Sequence, residues 1–215
     1  MMRILIIGAS GRVGRLLSQV LMAQGHEVIG TVHAAHAEQN GMQTVSLDLA
    51  TASVAEMVAT IKALGPIDVV YFVSGSRGKQ LLKVDLNGAV KVMQSLEIVG
   101  TKRYIQLSSA FADRQEKWSE GYLSDLTDYN IAKFFADKWL QENTYLDYTI
   151  LQPGILVDAE TVESVQFNPE HAGKNNIGTV AHVLAALAMH KQTIGQTIVM
   201  SSGAMTIEAA INNLR

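Results

Sequence analysis

Three sets of residues in this chain could do chemistry together. Gly8, Gly11 and Gly14 recur every third residue where the aliphatic run at 4–7 gives way to a helical apolar pattern in Val13, Leu16, Leu17, Val20 and Leu21. A helix starting there leaves its first amides unpaired and carries partial positive charge, which suits a pyrophosphate. Glycine serves where backbone must turn sharply, approach phosphates and pack against a strand. Ser108 and Ser109 follow a second apolar run at 103–107, so their hydroxyls stand at the carboxyl edge of a sheet, facing the crevice where ligands bind. Tyr129 and Lys133 are four residues apart in a helical segment, on one face and within reach of each other. Each set has a plainer reading beside it. The glycine spacing is Gly-x-x-Gly-x-x-Gly, not the general Gly-x-Gly-x-x-Gly, and a tight strand-to-helix turn needs no nucleotide. Arg12 and Arg15 could meet a phosphate or be solvated. Tyr129 and Lys133 could be an amphipathic ring and a snorkelling stem on a wet helix face.

The elements that must position these residues alternate. The pattern predicts parallel strands at 3–7, 27–32, 44–47, 68–73, 103–107, 146–151 and 197–200, separated by helical stretches at 13–21, 54–64, 82–99, 127–140, 179–190 and from 206. Strand ends carry candidate ligand residues. The second runs out in Thr31, Val32 and His33 with no acid, which favours a ribose 2′-phosphate over a free hydroxyl, although His33 could equally be a solvated loop residue. Asp48 could accept a bond from an adenine amino group or help cap the helix starting near Ser53. Ser74 and Gly75 form a small-residue turn able to lie against ribose and phosphate. Thr127 with Asp128, and Thr179, read as caps of their helices. Two polar stretches, at about 111–127 and 155–176, read as substrate loops. The expected architecture is α/β: a single Rossmann-like doubly wound domain over residues 1–215, with a mostly parallel sheet of about seven strands flanked by helices.

Composition narrows the function. The chain has 215 residues, 48% hydrophobic and 17% charged, enough for one sizeable core. Its net charge is -3 with no basic block, so neither nucleic acid nor an anionic membrane is an expected partner. Without cysteine there is no thiolate zinc site and no cysteine nucleophile. Of six histidines only His33 and His36 are close, with no carboxylate cluster beside them, and no metal is expected. With no signal segment or spanning run read from the sequence, the expected location is cytoplasmic.

The set Gly8-Ala9-Ser10-Gly11-Arg12-Val13-Gly14, Ser108-Ser109 and Tyr129-Asn130-Ile131-Ala132-Lys133, in that order, resembles the short-chain dehydrogenase/reductase superfamily. More narrowly it is similar to the atypical NAD(P)H-binding, NAD-dependent epimerase/dehydratase-like members. Further support comes from the segments at 84–89, 102–105, 132–137 and 146–154, so the likeness covers nearly the whole chain. The resemblance implies an oxidoreductase. Lys133 would hold the nicotinamide ribose and ease deprotonation of Tyr129, which would exchange a proton with a substrate oxygen during hydride transfer. Ser109, ahead of Ser108, would hydrogen-bond that oxygen. Gly8, Ser10, Gly11, Arg12, Val13 and Gly14 would line the pyrophosphate, Asp48 and Leu49 the adenine, and Pro153, Gly154 and Ile155 the nicotinamide, with His33, Ser74 and Gly75 also on the coenzyme. NADP(H) is favoured over NAD(H). The substrate would be a small carbonyl, quinone or flavin-like molecule, taken by a monomer or homodimer. A non-catalytic redox sensor and an epimerase or dehydratase with transient oxidation are the alternatives. Three positions depart from similar sequences: Asp85 stands for a common asparagine, Gln152 for the arginine before Pro-Gly, and His33 for an arginine.

Overall fold

The structure, a computed structural model, describes residues 1–33, 38–39 and 41–214. His36, the expected neighbour of His33, lies outside the described residues. The chain opens with β1 (Arg3–Ile7), α1 (Arg12–Ala23), β2 (Glu27–Val32), β3 (Glu38–Gln39), β4 (Met42–Ser46), α2 (Val54–Ala63) and β5 (Val69–Phe72). A π-helical turn (Leu81–Leu86) leads into α3 (Asn87–Val99), followed by β6 (Arg103–Leu107), α4 (Thr127–Asn143) and β7 (Asp147–Pro153). It closes with β8 (Ile155–Val157), β9 (Val165–Phe167), β10 (Lys174–Asn176), α5 (Ile177–Met189), β11 (Gln196–Ser202) and α6 (Ile207–Asn212).

The sheet order is β3-β4-β2-β1-β5-β6-β7-β11-β9. Its seven inner strands are mutually parallel, as the alternation of strands and helices predicts. The pleat explains why β1 is apolar without alternation. Ile4 and Ile6 join one core with Leu17 and Leu21 of α1 and Val183 and Leu184 of α5. Leu5 and Ile7 join the other, with Met57 of α2, Val92 and Leu96 of α3, and Ala136 and Leu140 of α4. The order reverses at β1, whose neighbours are β2 and β5, so the crevice beyond their carboxyl ends is the ligand-binding position of such a sheet.

The departures from the sequence reading are local. The edges are antiparallel: β3 pairs with β4, and β9 with β11. The stretch at 155–176 therefore holds three strands, two of them, β8 and β10, paired in parallel apart from the main sheet. At two or three residues each they are too short to show a period of two. The stretch at 111–127 contains two 3₁₀ turns, Gln115–Lys117 and Gly121–Leu126. Ser53 caps α2 in a full capping box, its oxygen accepting from Glu56 N at 3.2 Å while Glu56 accepts from Ser53 N at 2.7 Å. Two expected caps fail. Helix α4 continues out of a 3₁₀ turn, so Thr127 is already helical and its hydroxyl donates back to Ser124 O at 3.2 Å. Helix α5 starts two residues before Thr179, whose buried hydroxyl instead accepts from Glu163 N at 3.0 Å. In both places the incoming chain is already structured and leaves no free first turn to cap.

Candidate functional site

The glycine turn closes against β5 and not merely upon itself. Gly8 has φ +92°, and a Cβ there would lie 2.7 Å from the backbone nitrogen of Ser74. A Cβ on Gly14 would lie 2.8 Å from Ala9 Cα and closer still to the Gly8 carbonyl. Thr31 of β2 fixes the turn from the other side, its hydroxyl accepting from Gly8 N at 3.1 Å and its carbonyl from Ala9 N at 3.2 Å. Gly11 is the N-cap of α1 and supplies no side-chain cap, so the first amides of α1, at Arg12, Val13 and Gly14, open on the crevice beside exposed Ser10. A cradle that any side chain would fill, at the amino end of a twelve-residue helix, fits a dinucleotide pyrophosphate.

From Ser74 the loop runs past Gly75 to Ser76, whose backbone N–H donates to Asp85 Oδ2 at 3.1 Å. Asp85 is fully buried in the π-helical turn, and its Oδ1 has no hydrogen-bond partner. Its charge is felt at Tyr129. The turn at Gly8, the loop after β5 and the helix bearing Tyr129 are thus contiguous.

Helix α4 presents Asn130, Lys133 and Asp137 on one buried face. Lys133, 2% exposed, donates from Nζ to the carbonyl of Leu107 at 3.0 Å, and Nζ stands 5.7 Å from the centroid of the Tyr129 ring. The pair is joined as the four-residue spacing requires, and Lys133 is buried rather than snorkelling. Burial pushes the Tyr129 phenol upward from its ordinary value; Lys133 opposes this, but the carboxylates of Asp85 and Asp137 reinforce it. The phenol of Tyr129 is therefore protonated at neutral pH.

The serine pair divides. Ser108 Oγ donates to Asp137 Oδ2 at 2.6 Å, whereas Ser109 Oγ donates to Asn130 Oδ1 at 3.2 Å. Asp137, fully buried, also accepts from Gln106 Nε2 at 2.6 Å and Gln152 Nε2 at 3.1 Å. Burial raises its carboxyl to about 6, with the hydrogen bond from Ser108, the charge of Lys133 and the two glutamines pulling the other way. Asp137 lies in a segment that carries the family resemblance but is given no role in the site by the sequence. Its signal is the i, i+4 offset from Lys133 and the alternation of Gln106 and Ser108 on β6, which meet only once β6 and α4 are packed. Gln152, in the position of the expected arginine, gives Asp137 a hydrogen bond without a charge.

The remaining expected residues lie as follows. Arg12 pairs with Asp158 at 2.9 Å and Arg15 with Glu160 at 3.5 Å, exposed contacts that tie the phosphate turn to the segment after β8. Exposed His33 is 3.8 Å from Asp48. Asp48 accepts from Ala50 N at 2.8 Å, the main cause of its lowered pKa, and so shapes the turn before Ser53 without capping α2. Leu49 is buried, its Cβ close to where a side chain on Gly88 would begin. The Pro153–Gly154 turn is held by Ala110 N donating to Pro153 O at 3.0 Å and Gly154 N to buried Asn175 at 2.8 Å, leaving Ile155 exposed. Among the described residues no group of His, Asp and Glu is arranged to hold a metal ion, and no helix is long and apolar enough to cross a membrane.

A doubly wound parallel sheet with a glycine cradle at its reversal point, and a buried lysine beside a tyrosine next to it, defines a nucleotide-binding Rossmann protein of the short-chain dehydrogenase/reductase type. The chain belongs to the NAD(P)H-binding family, whose model matches residues 8–204. It is 31% identical to the uncharacterized sugar epimerase YhfK of Bacillus subtilis, over 99% of this chain and 100% of that one. The crystal structure of the oxidoreductase ylbE from Lactococcus lactis superposes with TM-score 0.92 at 39% identity, covering 99% of this chain and 96% of that one. An anaerobillin reductase from Escherichia coli, ChuY, superposes with TM-score 0.78 at 25% identity, covering 95% and 98%.

Proposed function

We propose that this protein is an NAD(P)-dependent oxidoreductase that reduces a small carbonyl, quinone or flavin-like substrate, with NADP(H) preferred to NAD(H). The observation that carries the reading is the buried Lys133 beside Tyr129, contiguous through Asp85 and Ser76 with the glycine cradle. The first amides of α1 and the backbone at Ser74 and Gly75 would hold the coenzyme, with Asp48 and Leu49 at its adenine and Pro153, Gly154 and Ile155 at its nicotinamide. A nicotinamide held there would supply the hydride. Tyr129 delivers a proton to the substrate oxygen, its raised pKa keeping the phenol protonated until then. Lys133, fixed by the Leu107 carbonyl, steadies the phenolate left behind. Ser109, ahead of Ser108, would turn its hydroxyl from its present partner onto the substrate oxygen.

The coenzyme preference rests on Thr31, Val32 and His33, which offer no carboxylate against a 2′-phosphate. Arg12 is held by Asp158, but an exposed pair contributes only about 0–1 kcal/mol, and a phosphate dianion can displace it. The same proposal has the protein acting in the cytoplasm on a small molecule, as monomer or homodimer, without nucleic acid or membrane as partner. The decisive experiment is NADPH consumption with aldehydes, quinones and flavins, repeated with Tyr129→Phe. The variant should bind NADPH normally and turn over at least about tenfold more slowly. An unchanged rate removes Tyr129 as the proton donor. NADPH binding without consumption by any acceptor favours a sensor, and turnover with constant coenzyme content favours an epimerase or dehydratase.

A further inference from the structure

The carboxylate of Asp137 is surrounded by three side-chain donors, one of which is oriented by a further hydrogen bond. Tyr104 donates its hydroxyl to Gln106 Oε1 at 3.0 Å, so the amide nitrogen of Gln106 faces Asp137 Oδ1 at 2.6 Å. On Oδ2 converge Ser108 Oγ at 2.6 Å and Gln152 Nε2 at 3.1 Å, while Gln152 Oε1 is buried with no partner. The groups that face Asp137 are Tyr104, Gln106 and Ser108 from β6, Gln152 from β7, and Lys133 and Tyr129 from α4. Lys133 is the cation among them.

A hydroxyl has a single hydrogen to give. While it goes to Asp137, the oxygen of Ser108 has only lone pairs to offer a substrate. A carbonyl oxygen also has only lone pairs, so the two cannot bond. We propose that Asp137 is a positioning residue that sets the direction of the Ser108 hydroxyl: acceptor-only toward the crevice when the carboxylate is ionised, donor to a substrate carbonyl oxygen when it carries a proton. In the protonated form the new O–H on Oδ2 donates to Ser108 Oγ, and the Ser108 hydrogen turns outward. Gln106 and Gln152 keep their bonds to the remaining lone pairs. No bond to carbon changes and the proton balance is one taken from solvent. The choice of a carbonyl rests on the oxidoreductase reading; the coupling of Asp137 to Ser108 does not. The acidity of Asp137, raised to about 6, puts the change within reach of ordinary buffers.

Two measurements test this. In protein labelled with ¹³C at aspartate carboxyls, one resonance should titrate near pH 6, be missing in Asp137→Asn, and shift its midpoint upward by about one pH unit in Ser108→Ala, because the ionised form loses a donor. A midpoint unmoved by Ser108→Ala overturns the coupling. With NADPH and 9,10-phenanthrenequinone, wild-type kcat should fall about tenfold as pH rises from 5 to 7.5. Asp137→Asn, whose amide N–H mimics the protonated acid, should stay on the low-pH plateau throughout. A wild-type step retained in that variant shows a structural role and overturns the proposal. Absence of NADPH consumption in any acceptor overturns the enzymatic reading and the catalytic consequence together, and leaves the ¹³C titration to decide the coupling alone.

Discussion

Replacing Gly14 by alanine separates the cradle from the stability of the fold. Gly14 sits inside α1, where alanine is intrinsically favoured by about 1 kcal/mol. The new Cβ would lie 2.8 Å from Ala9 Cα, whereas ordinary carbon contacts are about 3.5–4.0 Å. Helix α1 must therefore retreat from β1 by roughly 0.7 Å or more, against the packing of Val13, Leu16, Leu17 and Leu21. Overpacking of this kind costs about 1–3 kcal/mol. Because the obstacle is backbone, the upper end applies, and the net loss is about 1–2 kcal/mol. For a chain of this size that is a Tm lower by about 2–8 °C. The same displacement moves the first amides of α1, and hydrogen bonds to a charged group are each worth about 1.5–3 kcal/mol. Calorimetric titration with NADPH should show binding weakened by about tenfold or more in Gly14→Ala, in protein that still melts cooperatively. Gln19→Ala, on the exposed face of α1, is the control and should change neither quantity. Wild-type affinity in Gly14→Ala would refute the claim that this turn holds the pyrophosphate.

Other outcomes follow from single contacts. Ser53→Ala removes the hydroxyl half of the α2 capping box, leaving Glu56 its bond from the backbone N–H of residue 53, and should cost about 1 kcal/mol, a Tm fall of about 2–4 °C, with NADPH affinity intact; a change in affinity instead would link α2 to the site. Asp137, raised to about 6 from 3.8, stabilises the fold through its protonated form, fully below pH 3.8 and progressively less as pH rises through 6. Urea unfolding of wild type and Asp137→Asn at pH 4 and pH 7.5 should therefore show wild type losing roughly 2.4 kcal/mol relative to the variant across that interval. A constant difference would mean that Asp137 is not perturbed by burial.

The sequence by itself determined the central strands β1 and β5, because they are buried on both faces and read as nearly unbroken apolar runs, and it determined the glycine turn, because a strand, a tight bend and a helix are local events. It also paired Tyr129 with Lys133, since four residues make one helical turn. The edge strands β3 and β9 were not legible. Their pairing is decided by β4 and β11, and two or three residues carry no period of their own. The two missed caps have the same origin: whether Thr127 or Thr179 begins a helix depends on what the preceding chain is doing. Only the tertiary structure decided the chemistry of the serine pair. Ser108 and Ser109 are adjacent and alike in the chain, yet one gives its proton to Asp137 and the other to Asn130. That difference arises from two residues more than twenty positions away, brought under β6 by the packing of α4, and in that dry interior a single donor placed on a carboxylate changes what the hydroxyl can do.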